Sequence, residues 1–392
     1  MKGEKTMKKA ILAALMVLAL CSLSYACTST CVETTDNYLF YARTMEDHVQ
    51  FNSKVIVVPK GTQYQGQIPD GTYRGMKYKS VYGMVGMNTF DFPYITDGIN
   101  EEGLTGGTLA FPIAQYQLYD EKNIDRTVSN SELLTYILSQ YRSVEEARRG
   151  LQSVRVCASV IPNLNIVYPF HYILHDRTGA CTVIEYTGGV LNIHDNPLRV
   201  MTNAPDFRWM MTNLSNYVNL SPTNVQQTSL GNVKIPMLGN GSGMLGIPGD
   251  FTPPSRFVRM ALLTNTALPV TGPDEGLSLA MTLIDNVDIS KGNIRDNQKG
   301  TVDYENTQWS VVTDIVRKRF YFRSYANKNW RYIDVMEALK DAVELKSISI
   351  DSPPSYTNVT DRLKKGMDDR TRYSPQKCRQ SSDLPGDQNS GK

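Results

Sequence analysis

Four lysines, Lys2, Lys5, Lys8 and Lys9, precede an apolar run from Ala10 to about Leu23, which gives way to Ser24-Tyr25-Ala26. This is the layout of a secretory signal peptide, and it constrains where the fold begins. The run is too short, and too soon followed by polar residues, for a transmembrane helix, which needs about 20 apolar residues. Met7 serves equally well as the start. Small side chains at Ser24 and Ala26 place the cut after Ala26, so residues 1–26 leave and Cys27 opens a secreted or periplasmic chain. A bacterial lipoprotein also carries a Cys directly after its signal, which would make this a lipid-anchored, non-catalytic surface binding protein. That signal wants Leu three residues before the Cys and a small residue two before; this chain has Ser24 and Tyr25 there.

The 392 residues are 41% hydrophobic, which suits one large α/β or α+β domain or two medium ones and excludes disorder over most of the chain. With 41 basic against 39 acidic side chains the net charge is only +2, so no basic surface for nucleic acid is implied. Five cysteines remain after the cut: Cys27, Cys31, Cys157, Cys181 and Cys378. An odd number leaves at least one thiol without an intramolecular partner. Cys157 and Cys181 read either as a disulfide or as two buried small residues on neighbouring strands.

A strand is predicted to begin at the new terminus, from Thr28 to Glu33, followed by a turn at Thr34-Thr35-Asp36-Asn37 and a strand from Tyr38 to Arg43. Lys54 to Val58 and Ser80 to Met87 are β-rich, and Asp97 to Leu104 reads as a turn before a further strand. From Ser129 to Arg155 the apolar period becomes helical, with a Ser143 cap and Glu in the first turn. Ile166 to His175 and Cys181 to Tyr186 form a hairpin about Asp176-Arg177-Thr178-Gly179. Asn213 to Pro253 is a long polar excursion for assembly or the active site. Helices are expected from Ser255 to about Leu268 and from Leu277 to Ile289, and closing strands from Gln308 to Asp314 and Arg319 to Tyr325. The domain is predicted over residues 27–350, and residues 351–392 as a polar, disordered tail. Strands, then helices, then strands imply an α+β layered domain.

Few motifs offer chemistry. His171 and His175 lie in a β pattern where four residues span about 13 Å, far beyond two metal-nitrogen bonds of about 2 Å, so they read as structural histidines. Cys27 and Cys31 fail as a metal pair for the same reason. The glycines of Gly241-Ser242-Gly243-Met244-Leu245-Gly246 lack the strand before and helix after that a dinucleotide site needs. No metal or cofactor is implied. What remains is the thiol of Cys27 at a terminus, where an α-amine of ordinary pKa about 8 can act as base for its own residue.

Several separated motifs then resemble the choloylglycine hydrolases, the N-terminal-nucleophile family that includes bile salt hydrolases and penicillin V acylases. They are Cys27-Thr28, Tyr41-Ala42-Arg43-Thr44-Met45-Glu46-Asp47, Asp97 to Leu104, Met201-Thr202-Asn203-Ala204-Pro205, Gly246 to Asp250, Pro254 to Arg259 and Thr307-Gln308-Trp309, in the family's order. The resemblance spans Cys27 to about Tyr325. It implies a four-layer αββα fold and hydrolysis of a linear amide. By resemblance Cys27 is the nucleophile, Arg43 favours its thiolate, Asn203 donates to the oxyanion and Arg256 is the second site arginine. Glu46 stands where the family most often has Asp, and would accept from the Cys27 amine. Ala110, in Leu109-Ala110-Phe111-Pro112, stands where bile salt hydrolases typically have Asn, and offers its backbone N–H to the oxyanion. The implied substrates are conjugated bile acids, phenoxyacyl penicillin, and N-acyl amino acids or homoserine lactones. The same thioester chemistry would suit an acyltransferase. The excursion after Asn213 is similar to the loop through which family members form homotetramers.

Overall fold

Residues 26–161, 166–296 and 302–364 are described in a computed structural model, and two antiparallel sheets organise them. The predicted signal segment up to Tyr25, and Cys378, lie outside the described residues. The first sheet runs in the order Thr28–Glu33, Leu39–Asp47, Asp303–Asp314, Arg319–Ser324, Arg331–Asp334, with Ile294–Asp296 beside Asp303–Asp314. The second runs Val190–Asp195, Cys181–Thr187, Phe170–His175, Thr105–Ala110, Asp97–Asn100, Met84–Met87, Lys54–Val58, Lys346–Ser349.

Alternation along the strands stacks the sheets face to face. On Leu39–Asp47 the odd residues face the second sheet: Tyr41 donates to Asp97 and Arg43 to the Thr96 and Thr108 carbonyls. The even residues face helices, with the Phe40 ring so close to Gly276 that a Cβ there would lie 2.4 Å from it. On Phe170–His175, Ile173 joins the core shared with the first sheet, whereas Tyr172 and Leu174 pack with Leu133, Leu134, Ile137 and Leu138. Helices Pro253–Thr266 and Pro273–Asp285 therefore cover the first sheet, and Leu133–Gln140 and Val144–Gly150 the second. The result is the predicted αββα sandwich.

The predicted caps and turns have physical counterparts. Ser143 accepts from the Glu146 N–H at the start of its helix, and the two later helices begin on Pro253 and Pro273, whose missing N–H costs nothing in a first turn. Asn37 takes a positive φ of 66° in the first hairpin turn. Two expectations change. The expected closing strands are followed by Arg331–Asp334 and Lys346–Ser349, which pair at the edges of the two sheets. Asp97 is not in a turn but on a strand ending at Asn100, and the turn falls at Glu101–Gly103, where Asn100 accepts from the Glu102 and Leu104 N–H groups. The side-chain caps that make Asp and Asn good turn formers also let Asn100 close a strand.

Cys157 and Cys181 are both free and buried, apart from one another: Cys157 lies by the Gln67 carbonyl and Cys181 by His175. Within the excursion, Thr228–Leu230 and Val233–Ile235 form a fully exposed hairpin. Residues up to Pro353 make one compact unit; those from Pro354 make another, with a short helix at Thr360–Lys364.

Candidate active site

The strand pair that opens the chain places the thiol. Register runs Thr28↔Thr44, which sets Cys27 across from Met45, and the Cys27 thiol donates to the Met45 sulfur at 3.6 Å. Arg43, two residues back on the same face, reaches the thiol with Nη2 at 3.6 Å and donates to the Thr108 carbonyl at 2.5 Å. Its Nη1 bonds the Thr96 carbonyl at 3.2 Å and the Asp97 carboxylate at 3.5 Å, and its guanidinium lies 5.0 Å from the Trp309 ring centre. Tyr41 donates to the same Asp97 oxygen at 2.8 Å. Arg43 and Asp97 are fully buried. A bulge at Gln308 lets Thr307 pair with Glu46 and Trp309 with Met45, so that Trp309 faces Arg43 while Thr307 faces away.

Burial pushes the Cys27 thiol up, and the Arg43 charge is the largest influence holding it down. Burial likewise raises the Asp97 carboxyl to about 7 against the pull of Arg43 and Tyr41. In the described chain the Cys27 nitrogen is still a peptide nitrogen joined to Ala26.

Arg256, in the first turn of Pro253–Thr266, ties several segments together. It bonds the Phe251 carbonyl, the Cys27 carbonyl at 2.5 Å, the Thr28 hydroxyl, and with Nη2 the Asn203 Oδ1 at 2.8 Å. Burial lowers its pKa to about 10, which leaves it cationic at neutral pH. Because Arg256 takes Oδ1, the Asn203 amide must point Nδ2 the other way, and Nδ2 donates to the Ala110 carbonyl at 2.8 Å. Phe170, paired with Ala110, turns both its N–H and its carbonyl to the Tyr116 hydroxyl on its far edge. Phe170 and Ala110 are thus a non-hydrogen-bonded pair, and the Ala110 N–H points away from Phe170–His175.

The Glu46 carboxylate accepts from Thr307 at 2.6 Å and from Thr44 at 3.0 Å. Burial raises it to about 8, against those hydroxyls and Arg256. Cys27, Arg43, Glu46 and Ala110 line a narrow pocket whose walls are Met45, Phe51, Phe90, Ile161, Tyr168 and Phe170. Asn203 and Arg256 do not line it, but the Asn203 amide bonds Ala110, which does. A neighbouring narrow pocket shares Thr89, Thr96, Ile161 and Phe170 and continues to Phe92 and Tyr94. The arrangement joins a thiol, a fixed cation and an oriented amide donor at the floor of an aromatic cleft. No group of three or more His, Cys, Asp or Glu able to hold a metal occurs among the described residues.

Sequence reasoning missed the carboxylate that holds Arg43. Asp97 falls in a family-like motif whose Asp and Gly suggest a turn; the usable signal is that a buried arginine needs a buried anion. Met45 and Trp309 belong to such motifs too, but their contacts to the thiol and guanidinium exist only in the folded chain.

Residues 27–348 match the profile of a family described as linear amide C–N hydrolases, choloylglycine hydrolase family. The chain is 29% identical over 341 residues to a bile salt hydrolase/transferase of Clostridium perfringens, covering 85% of this chain and 99% of that one. It is 24% identical over 357 residues to a penicillin V acylase of Pectobacterium atrosepticum, covering 85% and 88%. A crystal structure of a variant conjugated bile acid hydrolase from Clostridium perfringens superposes with a TM-score of 0.75 at 28% identity, over 85% of this chain and 99% of that one.

Proposed function

Because the chain belongs to the choloylglycine hydrolase family and is a linear-amide C–N hydrolase, we propose that Cys27 is its nucleophile. The observation that carries this reading is the Cys27 thiol, 3.6 Å from a buried guanidinium on the floor of an aromatic pocket. Removal of residues 1–26 as a signal peptide, in a secreted or periplasmic protein, turns the Cys27 nitrogen into an α-amine. That amine takes the thiol proton, and Arg43 stabilises the thiolate. Sulfur adds to the amide carbonyl, and the oxyanion is received by the Ala110 N–H and by the Asn203 N–H not used on the Ala110 carbonyl. Collapse breaks the C–N bond; the amine leaves with the proton, and a thioester remains. Water then releases the acid and restores the thiol. Glu46, bonded by Thr44 and Thr307, gains a cationic neighbour in the new ammonium, and Arg256 holds Asn203 and the Cys27 carbonyl in register.

The two adjoining apolar pockets suit a bulky apolar acyl group. Conjugated bile acids and phenoxyacyl penicillin, the substrates for which the relatives are named, fit that description, as do N-acyl amino acids and homoserine lactones. Transfer of the same thioester to an amine acceptor is a second reading, favoured by the hydrolase/transferase name of the Clostridium perfringens relative. The exposed hairpin at residues 228–235 supports a homotetramer.

The test is a panel of these acyl amides assayed for free amine with the mature protein and its Cys27→Ser variant. The variant should fold and lose at least about 10³-fold in turnover. Unchanged turnover would remove Cys27 from the mechanism.

A further inference from the structure

A buried imidazole lies behind the two oxyanion donors, and nothing in the proposed chemistry uses it. His171 is on the strand Phe170–His175, nearly inaccessible to solvent. Its Nε2 lies 2.8 Å from the Thr202 carbonyl, immediately before Asn203. Its ring stacks on Phe111, immediately after Ala110, with centroids 4.4 Å apart and planes within 4°. One side chain thus touches both segments that supply oxyanion donors.

The far side of the ring is equally constrained. Nδ1 lies 3.0 Å from Glu185 Oε1, and the Glu185 carboxylate also accepts from the Phe207 N–H at 3.1 and 3.3 Å and faces His194 at 3.6 Å. Burial alone would raise Glu185, but its bonds from His171 and His194 hold it at about 2, as a carboxylate. Each ring nitrogen of His171 thus faces an oxygen, the Thr202 carbonyl on one side and the Glu185 carboxylate on the other, and the ring is held at both ends. A flip of the ring would set Cδ2 and Cε1 against the two acceptors and lose both bonds, and Phe111 blocks its tilt.

The remaining ties of the Asn203 segment run elsewhere. Met201 exchanges backbone bonds with Ser29, the Thr202 hydroxyl bonds the Pro253 carbonyl, and Asn203 Oδ1 is held by Arg256. All three anchor it to the first sheet or its covering helix. Ala110 belongs to the second sheet. The Asn203–Ala110 bond and the His171–Thr202 bond set this segment against the second sheet.

We propose that His171, oriented by Glu185, is a positioning residue of the amide hydrolysis, which holds Asn203 and Ala110 at the spacing their common oxyanion requires. This rests on the reading of those two residues as oxyanion donors. A displacement of about 1 Å at such a donor costs on the order of 10²-fold in rate, and loss of a donor costs about 10²- to 10³-fold.

The test is a double-mutant cycle on the mature enzyme with whichever acyl amide the panel identifies. In His171→Gln a single amide serves either Thr202 or Glu185 but not both, so kcat should fall about 10- to 100-fold with KM within about twofold. Asn203→Ala should fall about 10²- to 10³-fold. The double variant should lose no more than Asn203→Ala alone, because His171 acts through Asn203. Glu185→Gln, which keeps an acceptor for Nδ1 but removes the charge, should lose less than His171→Gln, and it takes the place of His171→Gln in the cycle if that variant fails to fold. Wild-type kcat in His171→Gln beside a slow Asn203→Ala overturns this proposal alone, as do losses that multiply in the double variant. Wild-type kcat in Asn203→Ala overturns the oxyanion reading, and the role of His171 with it.

Discussion

Replacing Gly107 by alanine isolates the contribution of the buried Tyr41–Asp97–Arg43 network. Gly107 lies on Thr105–Ala110 opposite Asp97, and a Cβ there would fall 2.5 Å from Asp97 Oδ2, 2.5 Å from the Tyr41 hydroxyl and 3.3 Å from Arg43 Cδ. Ordinary contact begins at 3.4 Å, so both oxygens must retreat by about 1 Å in an interior with no free space. Overpacking of this kind costs about 1–3 kcal/mol, which lowers Tm by several degrees in a domain of this size. Movement of Arg43 relative to Cys27 should cost more in activity, about 10²-fold in kcat. Gly106→Ala is the control, since its methyl meets the Ile173 carbonyl and Leu174 on the opposite face. It should lower Tm at least as much and spare most of kcat. Tyr41→Phe added to Gly107→Ala removes one of the crowded oxygens and should restore part of the loss. Thermal melts and steady-state kinetics on the four proteins decide the matter. If Gly107→Ala lowers Tm and leaves kcat within twofold of wild type, the network does not position the arginine.

Two further outcomes concern the whole molecule. Burial lowers His175 to about 3 from 6.5, so its stability is complete above pH 6.5 and is lost as pH falls toward 3; Glu185, held at about 2, adds a loss between about 4.5 and 2. Glu46, raised to about 8, acts oppositely, stabilising below 4.5 and losing that effect as pH rises through 8. Urea unfolding should therefore show stability falling by several kcal/mol below pH 6.5, a steep limb that His175→Asn shallows, and Glu46→Gln should flatten the limb from 4.5 to 8; an unchanged slope in either variant refutes the assignment. The exposed Leu230 and Val233 of the hairpin should hold the proposed tetramer together, so L230S/V233S should lower the mass measured by light scattering, and an unchanged tetramer would remove the hairpin from the interface.

Much of the site was legible because its chemistry is local. A signal-like run that ends at a cysteine, an Arg-x-x-Glu on the neighbouring strand and an isolated Met-Thr-Asn-Ala-Pro all keep their meaning as short strings. The contacts were not legible. Glu46, assigned to the Cys27 amine by resemblance, has its carboxylate on Thr44 and Thr307, on the other face of the strand from Arg43. Period-2 alternation gives even and odd residues opposite faces, but which face meets the second sheet depends on pairing across more than 250 residues. Asp97 shows the same limit, because Asp before Gly is a good turn signal until a buried guanidinium claims the carboxylate.

Cys27 at the end of a run laid out like a processing signal, the nearly balanced charge of +2, and the alternation of strand and helix periods follow from the sequence by itself. Each depends on neighbours along the chain, and so survives without knowledge of the fold. Tertiary structure alone decided that Asp97 and Tyr41 hold Arg43, that Arg256 turns the Asn203 amide toward Ala110, and that His171 touches both Thr202 and Phe111. These pairings join residues far apart in sequence, and buried charges select their partners by desolvation and geometry, which exist only once the two sheets have closed on one another.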